Sequence, residues 1–250
     1  MFNKCLAALA LLFALPVAAA DIRVAVAANF HGTVQKLAPL FKVASGHDLV
    51  ISAGSSGALT TQILNGAPFD VFLSADAARP EKLEQEGHAL AGSRFVYALG
   101  VPVLWSAREG VVDADAKVLE RGEFRHLAIA DPRLAPYGKA AEEILRKRGV
   151  FATIDGAGKL VRGQSIGQTY SQVASGAADL GFVALAQVRT EQGIAGSYWI
   201  PPKGEYTPIA QAAVVLKRAD DAAAAQQFLQ WLRGAEARAV IEAAGYGFAD

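Results

Sequence analysis

The chain has almost no sulfur chemistry available: its 250 residues include one cysteine, Cys5, and one methionine. Cys5 lies in the N-terminal leader, so the segment that folds has no disulfide scaffold, thiolate metal site or cysteine nucleophile. Nor is Cys5 at the expected cleavage point, where a bacterial lipoprotein would need it. Net charge is also missing, with 24 Lys and Arg against 24 Asp and Glu and no basic stripe or acidic tail. Nucleic acid and membrane surfaces are therefore not expected as partners. The four histidines, His31, His47, His88 and His126, are scattered and form no His-Glu-x-x-His pair. Gly54-Ser55-Ser56-Gly57-Ala58 lacks the spacing of a hydrolase nucleophile elbow. Gly158-Lys159 is followed by Leu160 and has Thr153 where a phosphate loop needs its first glycine. A ferric-ion site would need converging tyrosines and carboxylates, and only Tyr137 is well placed. Low-complexity linkers and short-period repeats are absent as well.

The long apolar run is Leu6 to Val17. Preceded by Lys4 and followed by Ala18-Ala19-Ala20 before Asp21, it reads as a secretory signal peptide over 1–20. It is short for a membrane span, and no stop-transfer flank follows. An exported, soluble, periplasmic protein is expected.

The remaining residues, about 230, suit one large domain or two linked lobes. Element order favours two lobes. Strand Ile22–Ala27 gives way at Asn29 to helical spacing, with Phe30, Val34, Leu37, Leu40 and Phe41 on one face. Strand Leu49–Ser52, helix Ala58–Leu64, strand Val71–Leu73 and a helix near Pro80–Gln85 follow. The same alternation recurs as strand Leu127–Ala130, a helix from Pro136-Tyr137-Gly138 to Arg148, strand Leu160–Arg162, helix Ile166–Ala174 and strand Leu180–Ala184. Acidic Glu142 and Glu143 early and basic Arg146, Lys147 and Arg148 late, with Gly149 as the stop, match the dipole of that first helix. Buried strands alternating with helices imply an α/β fold with mostly parallel sheets. Two extended segments without helices, Phe95–Trp105 and Ile209–Leu216, look like crossings between lobes, near Leu99-Gly100 and Ile209–Gln211. The expected division is residues 21–98 with 211–250 in lobe 1, including helices around Ala222–Arg233 and Ala235–Ala244, and 99–210 in lobe 2.

In open α/β sheets ligands bind beyond the carboxyl ends of strands, where loops enter helix N-termini. Four such places are legible: Asn29, Ser55-Ser56, Tyr137, and Ser165-Ile166. Taken singly, Asn29 and Ser56 read as ordinary helix caps, Tyr137 as a packing ring and Ile166 as a core residue. Their occurrence in equivalent loops of two units at once points instead to a shared cleft. It would offer hydroxyl, amide and backbone N–H donors at helix ends, suited to a small anion.

The string Gly54-Ser55-Ser56-Gly57-Ala58, followed by Gly66-Ala67-Pro68-Phe69-Asp70-Val71-Phe72-Leu73-Ser74-Ala75-Asp76, resembles the periplasmic molybdate-binding proteins of ABC importers, and the resemblance covers essentially the whole chain after the leader. It implies a two-lobed type II periplasmic-binding-protein fold with the ligand in the inter-lobe cleft. It also implies capture of molybdate or tungstate as transported ligand, no enzymatic activity, no cofactor, a monomer, and delivery to an inner-membrane permease. Molybdenum would be held only as the oxyanion. The family string Ala-Ala-Ser/Asn falls on Ala27-Ala28-Asn29, its binding hydroxyl on Ser56 with Ser55 beside it, its Pro-Tyr-Gly variant on Pro136-Tyr137-Gly138, and its backbone N–H donor on Ile166. Where many members place a binding tyrosine this chain has Ala184, so Tyr137 is expected to supply the phenol from the opposite loop. Two other readings stay open: a receptor for another tetrahedral oxyanion such as sulfate, and a periplasmic hydrolase of a small anionic ester using Ser56.

Overall fold

The computed structural model describes residues 20–248, so the expected signal peptide lies, apart from Ala20, outside the described residues. Strand β1 (Asp21–Ala27) runs through a 3-10 turn at Ala28–Phe30 into helix α1 (His31–Ser45). Then come β2 (Asp48–Gly54), α2 (Ser56–Leu64), β3 (Val71–Leu73), α3 (Ala78–Gln85) and β4 (Phe95–Gly100). The second lobe is built from β5 (Pro102–Ser106), α4 (Val118–Arg121), β6 (Leu127–Ala130), α5 (Pro136–Lys147), α6 (Phe151–Gly156), β7 (Leu160–Gly163), α7 (Ile166–Ala174), β8 (Leu180–Ala184) and α8 (Leu185–Val188). A short hairpin, β9 (Arg189–Thr190) and β10 (Gly193–Ile194), precedes β11 (Ser197–Trp199). The chain then returns to the first lobe as β12 (Ile209–Val215), α9 (Ala222–Leu232) and α10 (Ala235–Ala243).

The two five-stranded sheets have the orders β2-β1-β3-β12-β4 and β7-β6-β8-β5-β11. In each, three parallel strands meet one reversed strand, which pairs in turn with the edge strand. The reversed strands, β12 and β5, are those that follow each crossing between sheets. The extended run expected over Phe95–Trp105 is thus two strands in different sheets, separated at Val101, where Pro102 removes a backbone donor. Helices α4, α6 and α8 were not legible in the sequence, because four to six residues are too few to display a helical period.

Helix α1 buries Thr33, Val34, Leu37 and Phe41 against the first sheet, and Leu40 sits half-buried at the edge of that stripe. Phe30, Phe41 and Phe228 anchor the first core and Leu104, Ile129 and Phe182 the second. A third apolar cluster draws on both lobes and is rich in small side chains: Ala27 and Ala75 meet Ala130, Ala135 and Ala184 around Tyr137 and Ile166. Small residues let the strand ends of the two lobes approach closely. Among the described residues no helix is long and apolar enough to cross a membrane.

The second lobe carries an acid-sensitive link. Asp179, buried just before β8, accepts from the Arg125 backbone N–H at 2.7 Å and from the guanidinium groups of Arg125 and Arg108 at 2.9 Å. The Arg125 guanidinium is the main reason its carboxyl falls from 3.8 to about 2, against the opposing effect of burial. The folded pKa lies below the unfolded one, so this stabilisation is complete above about pH 4 and is lost as pH falls toward 2. Acid titration of Tm should show Asp179→Asn less stable than wild type at neutral pH and the difference narrowing below about pH 4. A constant difference down to about pH 2 would refute the linkage.

Candidate oxyanion site

The carboxyl ends of β1, β2 and β3 face those of β6 and β7, and the loops beyond them enclose a cavity lined by Ala27–Asn29, Gly54–Ser56, Ala75, Ala135–Tyr137 and Ile166. All five residues singled out in the sequence, Asn29, Ser55, Ser56, Tyr137 and Ile166, come together here. The cavity volume is only about 10 Å³, on the scale of a single small group and far below what a sugar, peptide or nucleotide occupies. Larger surface hollows exist, such as one of about 270 Å³ beside Ser93 and Arg233, but no helix N-termini converge there.

Ser55 is the N-cap of α2, its Oγ accepting the Ala58 N–H at 3.3 Å. This corrects the cap reading of Ser56, which is instead the first residue of the helix. Ser56 Oγ accepts the N–H of Ala75 at 2.9 Å, so the Ser56 hydroxyl proton remains to be given elsewhere. Asn29 is not a cap of α1 either: it lies within the 3-10 turn, and the N-cap of α1 is Phe30, which makes no side-chain capping bond. Tyr137 follows Pro136 in the first turn of α5, fully buried, and its hydroxyl has no partner. Burial first, and then the neighbouring Tyr246, Tyr97 and Tyr206, hold that phenol well above the usual phenol range, so at neutral pH it is a donor with its proton in place. A side chain on Gly100 would overlap the Tyr137 hydroxyl, which is why the crossing carries glycine at that position. Ile166 opens α7, where the backbone N–H groups of the first turn have no intrahelical acceptor. Ser165 Oγ takes that of Gln168 at 3.2 Å, leaving the Ile166 N–H at the cavity.

Helices α2, α5 and α7 thus aim their N-termini at one point, and no charged side chain lines it. The partial positive ends of three helices at a small cavity favour an anion without a formal counter-charge. The lobes touch at the rim. Gly57 N–H, in the first turn of α2, donates to Leu134 O across the cleft at 2.9 Å, and Arg79 Nη2 donates to Arg133 O at 3.1 Å.

The profile of the family described as Bacterial extracellular solute-binding protein matches residues 22–247. The molybdate-binding protein ModA of Azotobacter vinelandii is 48% identical over 230 residues, covering 92% of this chain and 90% of the relative. That of Rhodobacter capsulatus is 47% identical over 239 residues, covering 96% and 93%. The chain belongs to the ModA family of bacterial extracellular solute-binding proteins. In three dimensions it superposes on the Azotobacter vinelandii periplasmic molybdate-binding protein with a TM-score of 0.90 at 49% identity, over 92% of this chain and all of that one. The two-lobed α/β fold expected from the sequence is that of this ModA relative.

As a ModA-family member the chain also has residues around the cavity that its sequence did not single out. Gln211 Oε1 lies 2.5 Å from Asn29 Nδ2, and Tyr246 donates its hydroxyl proton to Asn29 O at 2.7 Å. A buried glutamine within the apolar run Ile209–Val215 was the available signal for the first. Nothing local marked Tyr246, 217 positions from its partner. Ala184 packs in the same small cluster as Tyr137 and gives its N–H to Gln187 Oε1 at 2.9 Å, so it supplies no side-chain donor.

Proposed function

We propose that the protein captures molybdate or tungstate in the periplasm and hands it to an inner-membrane ABC permease, acting as a monomer with Asn29, Ser55, Ser56, Tyr137 and Ile166 as the oxyanion's donors. The observation that carries this reading is the small cavity at three helix N-termini, whose polar lining residues Asn29, Ser55, Ser56 and Tyr137 are all uncharged. Molybdate at neutral pH is a dianion without protons, and all its oxygens accept. Phosphate usually retains a proton and calls for a carboxylate acceptor, which the lining lacks. The name molybdate-binding protein ModA on relatives nearly half identical along most of their length supports the same ligand. Sulfate shares the hydrogen-bond demand and differs in size, so the dimensions of the closed cavity would discriminate against it. Ser56 is poorly equipped for hydrolysis: no imidazole or carboxylate lines the cavity to take its proton. The leader would direct export, the lobes would part about the two crossings, which in the structure lie at Val101 and just before Ile209 rather than at 98/99 and 210/211, and the ion would draw them together by contacting both. The oxyanion is cargo, and no cofactor is assigned.

Calorimetric titration with molybdate, tungstate, sulfate and phosphate tests the reading. Molybdate and tungstate should bind with sub-micromolar affinity, a free energy beyond about −8 kcal/mol, and phosphate should not compete. Tight phosphate binding would sink it. Because no titrating His, Lys or carboxylate is assigned to the ion, affinity should also stay nearly constant from about pH 6 to about pH 8. A tenfold change across that window would reveal a missed ionisable group.

A further inference from the structure

Asn29 is the one cavity residue whose polarity toward a ligand is decided by another side chain. Both of its amide protons have acceptors within the protein, Nδ2 lying 2.5 Å from Gln211 Oε1 and 3.2 Å from the Tyr246 hydroxyl. Its Oδ1 is buried without a partner, and so are Gln211 Nε2 and the Tyr137 hydroxyl. In this arrangement the end of the Asn29 amide left without a partner is the acceptor, which an oxyanion would repel. A carboxamide interchanges its donor and acceptor ends by a half-turn of its terminal torsion. If Asn29 and Gln211 turn together, Gln211 Nε2 donates to Asn29 Oδ1, and Asn29 Nδ2 moves to where its oxygen was. With an anion accepting from Asn29 Nδ2 and from Tyr137, three unpartnered atoms fall to one, Gln211 Oε1.

Resting on the oxyanion reading above, we propose that Gln211 is a positioning residue that sets which end of the Asn29 amide meets the ligand. Gln211 does not line the cavity; it acts through Asn29. Its location fits that task. It is fully buried on β12, at the register break between Gln211 and Ala212 where the strand pairs with β4, a local irregularity of the kind that re-aims a side chain. A polar group buried in an otherwise apolar strand is costly unless it is bonded, and Asn29 is the partner Gln211 has. The carbonyl of Asn29, pinned by Tyr246, keeps the backbone still while the amide turns.

The test is a cycle of molybdate titrations on wild type, Gln211→Met, Asn29→Ser and the double variant, with unliganded melting temperatures measured alongside. Met keeps the length of Gln and loses both hydrogen-bonding ends. A serine hydroxyl can donate to an anion without being oriented by a neighbour. Gln211→Met should weaken molybdate binding by about tenfold in the Asn29 protein, the scale of one hydrogen bond to a charged group, and by less than about twofold in the Asn29→Ser background. In the wild type the side-chain amide resonances of both Asn29 and Gln211 should shift when molybdate saturates the site. Unchanged affinity in Gln211→Met overturns the inference alone, as does an equal loss in both backgrounds, which would mark a merely structural residue. A wild-type protein that does not bind molybdate overturns the oxyanion reading and this inference with it.

Discussion

Ser56→Ala and Tyr137→Phe should each weaken molybdate binding by roughly tenfold to more than a hundredfold, the effect of removing a hydrogen bond worth about 1.5 to 3 kcal/mol to a charged group. The two variants differ in what they do to the empty protein. Ser56 Oγ also accepts the buried Ala75 N–H, so Ser56→Ala strands that donor and should lower the unliganded Tm through a loss of about 1 to 3 kcal/mol. The Tyr137 hydroxyl has no hydrogen-bond partner within the protein, and its ring is retained in phenylalanine, so Tyr137→Phe should leave the Tm measured without molybdate unchanged or slightly raised. Calorimetry and thermal melting on the same preparations separate the two quantities. Wild-type affinity in Tyr137→Phe alongside a loss in Ser56→Ala would keep the anion site and remove Tyr137 from it.

The second large effect is expected at the seam between the lobes. Gly57 N–H bonds Leu134 O, and a Cβ at that position would lie 3.1 Å from Leu134 Cα and O and 3.3 Å from Arg79 Nη2. Gly57→Val therefore places a branched side chain where the rims of the two lobes touch. Overpacking of this kind costs about 1 to 3 kcal/mol. The clash with Leu134 belongs to the closed arrangement, because Leu134 lies on the other lobe. Since a ligand's apparent affinity scales with the population of the binding-competent state, molybdate binding should drop by roughly tenfold to a hundredfold. The unliganded Tm should change little. A loss of Tm equal to the loss of binding free energy would mean that Gly57 is simply a packing position, and unchanged affinity would mean that this seam does not need to close.

Much of the scaffold was readable because its elements are long and periodic. Strand β6, helix α7 and strand β8 begin and end where their apolar patterns do, since burial on one stripe or on both faces leaves a mark in consecutive residues. The site residues were readable for a related reason: each follows the carboxyl end of a strand and opens or precedes a helix, so position in the strand-helix alternation locates them without knowledge of the fold. Harder to read was which of two neighbouring serines caps α2. Ser55 and Ser56 carry the same hydroxyl, and only the approach of Ala75 from β3 assigns the second one a different acceptor role.

Local pattern and chemistry therefore determined the type of protein: the α/β alternation, the two units, and five candidate donors at strand-to-helix junctions with no charged residue among them. Tertiary structure decided what those donors can do. Tyr137 is left with an unspent proton because the bare backbone of Gly100 makes room for its phenol. Asn29 is oriented by Gln211 and Tyr246, 182 and 217 residues away. Gly57 and Leu134 meet beside the cavity from opposite lobes. Periodicity and helix-end chemistry act between near neighbours in the chain and are visible there. The direction of a hydroxyl or amide is set by whatever group packs against it, and in this fold those groups come from the other lobe and from the far end of the chain.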